Sequence, residues 1–437
     1  MTKLDDLILV SIDDHVVEPP DMFERHVATV WRDRAPRVVR KKDGSDVWLF
    51  EGQQLPNIGL NAVAGRPPEE YGVEPTSFEQ IRRGCHDVRE RVRDMNANGV
   101  LASLCFPSFT GLAGQVFHKA KDKELGLACL QAYNDWHIDE WCGSAPGRFI
   151  RLALVPLWDP ALAAREVERV ARKGCHAITL CDQPAKVGLP TYHSDHWDPL
   201  WKACEDHGTI VCMHIGSSEG MYFTSMDAPI DVMITLIPLN VVNCASDLVW
   251  SPMLRKFPTL KIALSEGGIG WVPYFLERID YVYDHHHLWT NQDFSAKRPS
   301  ELFRERIVTC FISDRTGIRD LAAANPDNIT WECDYPHSDT TWPRSPELVA
   351  SELAGLSDEV IEKITHANAM RHFRFDPFAS RPRERSTVAA LRAEASDVDV
   401  RPTSYGGGSR VEAGSKQPVT CGAVVKQLTT AMMSPIE

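Results

Sequence analysis

The sequence predicts an α/β fold, a distorted (β/α)8 barrel, and three observations lead there. Eight short apolar runs rich in β-branched residues are spread over residues 7–333. Amphipathic stretches separate them, and the first run is not followed by the glycine-rich turn that opens a doubly wound sheet. The runs are 7–12 (LILVSI), 100–106 (VLASLCF), 149–156 (FIRLALVP), 176–181 (HAITLC), 209–214 (TIVCMH), 260–266 (LKIALSE), 306–312 (RIVTCFI) and 328–333 (NITWEC). Each is short and apolar on both faces, as strands of a parallel sheet covered on both sides are.

The intervening elements follow from the same pattern. DVRERVRDMNANG (87–99), KDKELGLACLQAYNDWHIDEWC (121–142) and DPALAAREVERVARKG (159–174) read as helices with one apolar face. Residues 40–75, containing KKDGSDVWLFEGQQLPNIGL, break the alternation and are expected to form a hairpin insertion. The barrel domain is expected over residues 1–380, and residues 381–437 are expected to form a largely flexible extension, in which RPRERSTVAALRAEASDVDV has room for one short helix and RPTSYGGGSRVEAGSKQP is Gly/Ser-rich.

Composition narrows the function classes. The formal net charge of −13 argues against nucleic acid or an anionic membrane surface as a partner, since both reward basic patches. The opening MTKLDDLILV has an apolar run too short for a signal peptide, and no segment holds eighteen consecutive apolar residues, so a cytoplasmic location is expected. The 12 cysteines stand singly with no CxxC pair, which fits buried, reduced thiols.

In a barrel of this kind the active site forms at the C-terminal ends of the strands. The first strand delivers Asp13 and His15 there, the fifth His214, the sixth Glu266 and the eighth Asp334. Asp13 and His15 are two residues apart and so share a face. Imidazole nitrogen with carboxylate oxygen suits one divalent cation, zinc first with manganese or iron as alternatives. Each residue alone reads more simply as a cap or a hydrogen-bonded polar group; their convergence on one rim favours a metal centre. His337 in DYPHSD either touches substrate or metal-bound water, or holds a ligand in place by a hydrogen bond. His176 opens the fourth strand, at the wrong mouth, and His207 closes a helix. His193 and His196 lead into a helix, and the histidines of DHHHLW (284–289) read as a solvated cluster. Trp31, Trp48, Phe106, Phe109, Phe223, Trp271 and Trp342 are candidates for an apolar pocket, and Arg82, Arg83 and Arg315 for pairing with a substrate carboxylate.

The motifs SIDDHVVEPPDMF, VCMHIGSS, LSEGGIGWVPYFLERID, WECDYPHSDTTWP and ITHANAMRHFRFD, spread over about residues 8–377, resemble the amidohydrolase-related family, in the branch that includes aminocarboxymuconate semialdehyde decarboxylase. The resemblance implies a distorted (β/α)8 barrel with one divalent metal and no organic cofactor. It places the ligands at Asp13, His15, His214 and Asp334. It implies a metal-dependent enzyme, commonly a homodimer, acting on a small organic acid by non-oxidative decarboxylation or by hydrolysis with a metal-bound water. The alternative is an altered barrel that binds a small ligand without turnover. No lysine ends the fourth strand, ITLCDQP, so one metal is expected rather than two. Many relatives carry a histidine where this chain reads SEGG, so Glu266 stands there as acid/base, hydrogen-bond partner or extra ligand. Asp334, Glu266 and His337 form the expected catalytic set.

Overall fold

The apolar runs become strands because each is covered twice, by other strands' side chains within a cylinder and by helices outside it. The computed structural model describes residues 3–56, 58–218, 223–408 and 417–433. In chain order the strands are β1 (Val10–Val16), β2 (Arg37–Arg40), β3 (Asp46–Phe50), β4 (Gln53–Leu55), β5 (Ala102–Pro107), β6 (Phe149–Ile150), β7 (Ala177–Thr179), β8 (Ile210–His214), β9 (Ile262–Ser265), β10 (Ile307–Phe311) and β11 (Ile329–Trp331). β1, β5 and β6 pair in parallel, as do β7 to β11 in sequence. A parallel bridge, Ala153 to Ile178, joins the two sets on one side. On the other, Asp334 N–H donates to the Asp13 carbonyl at 2.9 Å and His15 N–H to the Tyr335 carbonyl at 2.7 Å. The barrel is therefore closed, as the sequence predicts.

Alternation along each strand divides the core. Val10, Ile12, Leu104, Phe106, Ile210, Cys212, Ala263, Val308 and Cys310 form one apolar cluster, while Val211, Met213, Ile262, Leu264, Ile329 and Trp331 join the larger core beneath the helices. The helices start where the sequence supplies caps. Asp87 accepts from Arg89 N–H at 2.9 Å to open Val88–Asn98, and Gly99, at φ 75°, closes it. Asp159 opens Pro160–Ala171 in the same way. The stretch Ile230–Trp250, with a mean hydropathy of 1.7, is part of this outer layer through Val241, Cys244, Ala245 and Leu248.

Three expectations need correction. The first strand does not end at residue 12 but runs to Val16, passing straight through Asp13 and His15. A β-bulge hides this, because Ser11 pairs with Ser103 and Asp14 with Cys105, leaving two residues opposite one. The insertion is a three-stranded antiparallel sheet, β2 to β4, rather than a hairpin, anchored by buried Trp48 and Phe50. The extension is ordered over 381–408. Its helix Val388–Ala393 lies against Val88–Asn98, with Val388 and Leu391 fully buried and Val388 N–H donating to the Leu7 carbonyl at 2.9 Å. Gly407 and Gly408 there serve close approach rather than flexibility: a Cβ on Gly408 would lie 2.4 Å from Val73. Residues 409–416 lie outside the described residues.

Leu391 belongs to the same apolar cluster as the barrel interior. Leu391→Ala is therefore expected to lower unfolding free energy by about 2–5 kcal/mol in urea titration. A loss within experimental error would mean that the extension is not part of the folded unit.

Candidate active site

The same alternation that builds the interior delivers the polar residues to one mouth. On β8 the inward series Ile210, Cys212 continues to His214, and beyond β11 Thr330 is followed by Glu332 and then Asp334. On β1 the bulge reverses parity, so that Ile12 and Asp13 both face inward and His15 follows them. Glu266 comes directly after β9. It adopts φ 58° and Asp334 φ 57°, left-handed conformations that carry strain for residues other than glycine.

These side chains converge. His15 Nε2 lies 3.6 Å from Asp13 Oδ1 and 3.3 Å from Asp334 Oδ1. His214 Nε2 lies 3.4 Å from Asp13 Oδ2 and 3.2 Å from Glu266 Oε2. Asp13, His15 and Asp334 are fully buried. Yet both oxygens of Asp13 and of Asp334, both ring nitrogens of His15 and Nε2 of His214 lack a hydrogen-bond partner. Buried polar atoms left without partners are costly unless something else satisfies them. The donor atoms of Asp13, His15 and His214 lie within 4.8 Å of one another, as do those of His15, Asp334 and His337. The set fits a single divalent cation held by carboxylate oxygen and imidazole nitrogen. His214 Nδ1 lies 2.6 Å from the Ile215 carbonyl, which fixes the Nδ1–H tautomer and leaves Nε2 free to ligate.

Electrostatics agree with the geometry. Burial, then the neighbouring His337, pushes His15 well below the usual histidine range, and burial takes His214 down to about 4. Both rings are neutral at physiological pH and so able to ligate. Burial, then the Glu332 carboxylate, raises Asp13 well above the carboxylate range. Burial raises Glu266 as well, with Asp334 as the next cause. Asp334 is the opposite case: burial works against its ionisation, but the imidazoles of His337 and His15 hold it below the ordinary range. His337 Nδ1 is 3.0 Å from Asp334 Oδ1, and its ring stacks on His15 at 3.7 Å. Its Nε2 is also without a partner.

Other candidates separate cleanly. Phe106 is the aromatic residue that meets the cluster, 4.9 Å from the ring of His214. Trp48 and Phe109 stack on each other at 4.3 Å within the core, and Trp342 donates its indole N–H to the Asp94 carbonyl. Trp31 packs beside Arg34, and Trp271 donates to the Gly267 and Gly268 carbonyls; Phe223 is half-buried. Arg82 is bound bidentately by Asp94 at 2.8 and 2.7 Å, Arg83 pairs with Asp87 on the surface, and Arg315 is exposed. His176 contacts the His207 carbonyl at the opposite mouth.

Glu332 was missed by the sequence reading, although its position two residues before Asp334 places it on the inward face. It is buried, raised to about 8 first by desolvation, and accepts from Glu266 N–H at 3.1 Å and from the Cys310 thiol at 2.5 Å. It thus holds the backbone at Glu266. Asp14, sent to the outer face by the bulge, accepts from the Ser103 hydroxyl and from Tyr335 N–H at 2.8 Å, which ties β1 to the loop carrying His337.

The amidohydrolase family model matches residues 47–375, so Asp13 and His15 precede the matched region. The gamma-resorcylate decarboxylase of Polaromonas sp. (strain JS666 / ATCC BAA-500) is 25% identical over 282 residues, covering 60% of this chain and 82% of the relative. Among solved structures, the 5-carboxyvanillate decarboxylase of Sphingomonas paucimobilis superposes with a TM-score of 0.59 at 21% identity, covering 85% of this chain and all of that one (100%). The dihydroxybenzoic acid decarboxylase of Polaromonas sp. JS666, solved with manganese and 2-nitroresorcinol, gives 0.53 at 21% identity, covering 67% and 88%.

Two measurements test the metal centre. Adding a divalent cation to chelator-treated protein is expected to raise the melting temperature, and His214→Ala and Asp334→Asn are expected to abolish most of the shift. The shift should also grow from pH 6.5 towards pH 8. Over that range His15 and His214 stay neutral in the fold and only complete the second half of their deprotonation in the unfolded chain, a small opposing effect, whereas Glu332 ionises near 8 in the fold against 4.5 outside it, so rising pH destabilises the metal-free state. A shift that shrinks across this window contradicts the assignment.

Proposed function

The chain belongs to the amidohydrolase family, and from that premise we propose that it is a metal-dependent carboxy-lyase releasing CO2 from a small aromatic carboxylic acid. The observation that carries the reading is the pair of opposed acids at one mouth, Asp334 held ionised and Glu266 held protonated. The names of the similar proteins support the substrate class.

Asp13, His15, His214 and Asp334 would hold the cation, which supplies Lewis acidity towards an oxygen it coordinates. The carboxylate share of that set favours manganese, and the manganese in one similar structure supports it; zinc is the second choice. Glu266, 18% exposed and 3.2 Å from His214, faces the opening with a carboxyl that burial raises well above the ordinary carboxylate range, which favours its protonated form. It donates that proton to the ring carbon bearing the carboxylate, using a ring π pair to form the C–H bond. The C–CO2 bond then breaks, its electron pair returns to the ring, and CO2 leaves. The balance is one proton consumed per carboxylate released, with no oxidant or reductant. His337 Nε2, unpartnered, is placed to accept a hydrogen bond from a substrate hydroxyl, its Nδ1–H facing Asp334, and Phe106 supplies an apolar wall. Glu332 keeps the Glu266 backbone in place and touches no substrate.

The test is CO2 release from gamma-resorcylate and 5-carboxyvanillate by protein loaded with manganese. Glu266→Gln is expected to reduce kcat by roughly a hundredfold or more while metal content stays unchanged. Incorporation of solvent oxygen into a product without CO2 would instead identify a hydrolase. Glu332→Gln, which keeps an acceptor for Glu266 N–H, is expected to retain far more activity than Glu332→Ala.

A further inference from the structure

We propose that the N-terminal mouth of the barrel carries a second ligand site, a cavity of about 180 Å³ at the starts of β6 and β7 where Arg151 and Arg374 bind the carboxylate of a small organic acid. Ile150 and Leu152 face the barrel interior, so alternation turns Arg151 outward, towards the helices. Ala177 likewise faces inward, which turns His176 outward beside it. The Nε of Arg151 is buried without a hydrogen-bond partner, and among the described residues no hydrogen bond or ion pair reaches its guanidinium. Other guanidiniums nearby are held: Arg148 donates to the Leu101 and Val100 carbonyls, and Arg169 pairs with Glu166 and Asp135. A partly buried cation without a counter-charge is costly, and a bound anion relieves that cost.

The remaining walls indicate which anion. Arg374 lines the same cavity and holds φ 50°, a left-handed conformation that carries strain in a residue other than glycine. Its Nη1 donates to the His207 carbonyl at 2.9 Å, an oxygen that also accepts from His176 Nδ1 at 3.1 Å, and no carboxylate pairs with it. That tie fixes the guanidinium and leaves its other N–H groups for a ligand. His176 stays neutral, lowered by burial and then by Arg374, so the two arginines carry the positive charge. The acid on the rim, Asp376, accepts from Phe378 N–H at 2.9 Å and pairs with neither arginine. Two guanidiniums against one carboxylate leave the cavity positive in a chain of net charge −13, which selects an anion. Guanidinium geometry matches a carboxylate bidentately. Phe149, Phe373 and Phe375 add apolar surface that an inorganic oxyanion would not use. A cavity of about 150 Å³ is enough for a benzene ring, so this one has room for a ring-sized acid. It lies at the end of the barrel away from Asp13 and His214, and it does not depend on the reaction proposed above.

Isothermal titration calorimetry of the full chain with benzoate tests the proposal. Benzoate also resembles the acids proposed for the active site, so the titration is run on the wild type and on His214→Ala, which disables that site. Saturable binding is expected to survive His214→Ala. In that background Arg151→Gln and Arg374→Gln are each expected to weaken it by roughly tenfold or more, as loss of a charged hydrogen-bond donor does. Arg151→Lys, which keeps the charge but not the fork, is expected to fall between. Arg374 is exposed, so its variant gives a reading even where Arg151→Gln does not fold. Inorganic phosphate at the same concentration is expected to leave benzoate bound. Absence of binding to His214→Ala, an affinity unchanged in both the Arg151 and Arg374 variants, or displacement of benzoate by equimolar phosphate each overturns the proposal.

Discussion

Four carboxylates are buried and a fifth half-buried around one barrel mouth, and the need to compensate them governs this molecule. Asp13, Asp14, Glu266, Glu332 and Asp334 raise or oppose one another's ionisation. Like charges in a low-dielectric interior repel strongly. The buried Arg91 offsets part of this from behind β1, donating to the His15 carbonyl and lying 4.4 Å over the Tyr335 ring. Its guanidinium does not reach the unpartnered oxygens of Asp13 and Asp334. A cation bound between those oxygens and the neutral imidazoles removes the conflict at its centre. The site is a place where folding leaves an electrostatic deficit that a dication fills.

Barrel closure and site assembly are the same event. The hydrogen bonds that join the end of β11 to β1 run through Asp13, His15, Asp334 and Tyr335, the residues that carry the ligands or flank them. The β1 bulge is what makes this possible. Without the extra residue, strict alternation from Val10 and Ile12 would turn Asp13 and His15 towards the helices and Asp14 towards the interior. The bulge gives each acid of the pair its own task, Asp13 facing the cluster of unpartnered donor atoms and Asp14 fixing the loop that carries His337.

Most of the barrel and much of the candidate site can be read from period alone. Short runs apolar on both faces mark parallel strands, and IVCMH and TWECD extend an inward series past the apolar layer to a polar residue. What escapes is whatever breaks the period. The bulge in SIDDHV looks like a strand ending, since a parity change and a strand end both interrupt alternation. Glu332 looks like an interruption of TWEC, because a carboxylate within an apolar strand suggests a surface position until its neighbours are known. The extension misleads for a different reason. Glycine and serine signal flexibility by composition, but Gly407 and Gly408 sit where side chains would collide with Gln80 and Val73, so there the small residues permit contact.

Glu266 and Asp334, the two acids assigned opposite protonation states, both hold left-handed backbone conformations. Local preference would carry each away from its position, so tertiary contacts keep them there: Glu332 beneath Glu266, and the β1 hydrogen bonds beneath Asp334. Their geometry is borrowed from the scaffold. Slackening between β9 and β11 is therefore expected to relax these two residues first, at a temperature where most of the secondary structure survives. Heat inactivation and global melting are separate events in such a molecule, and the gap between them measures how tightly the cylinder grips its own rim.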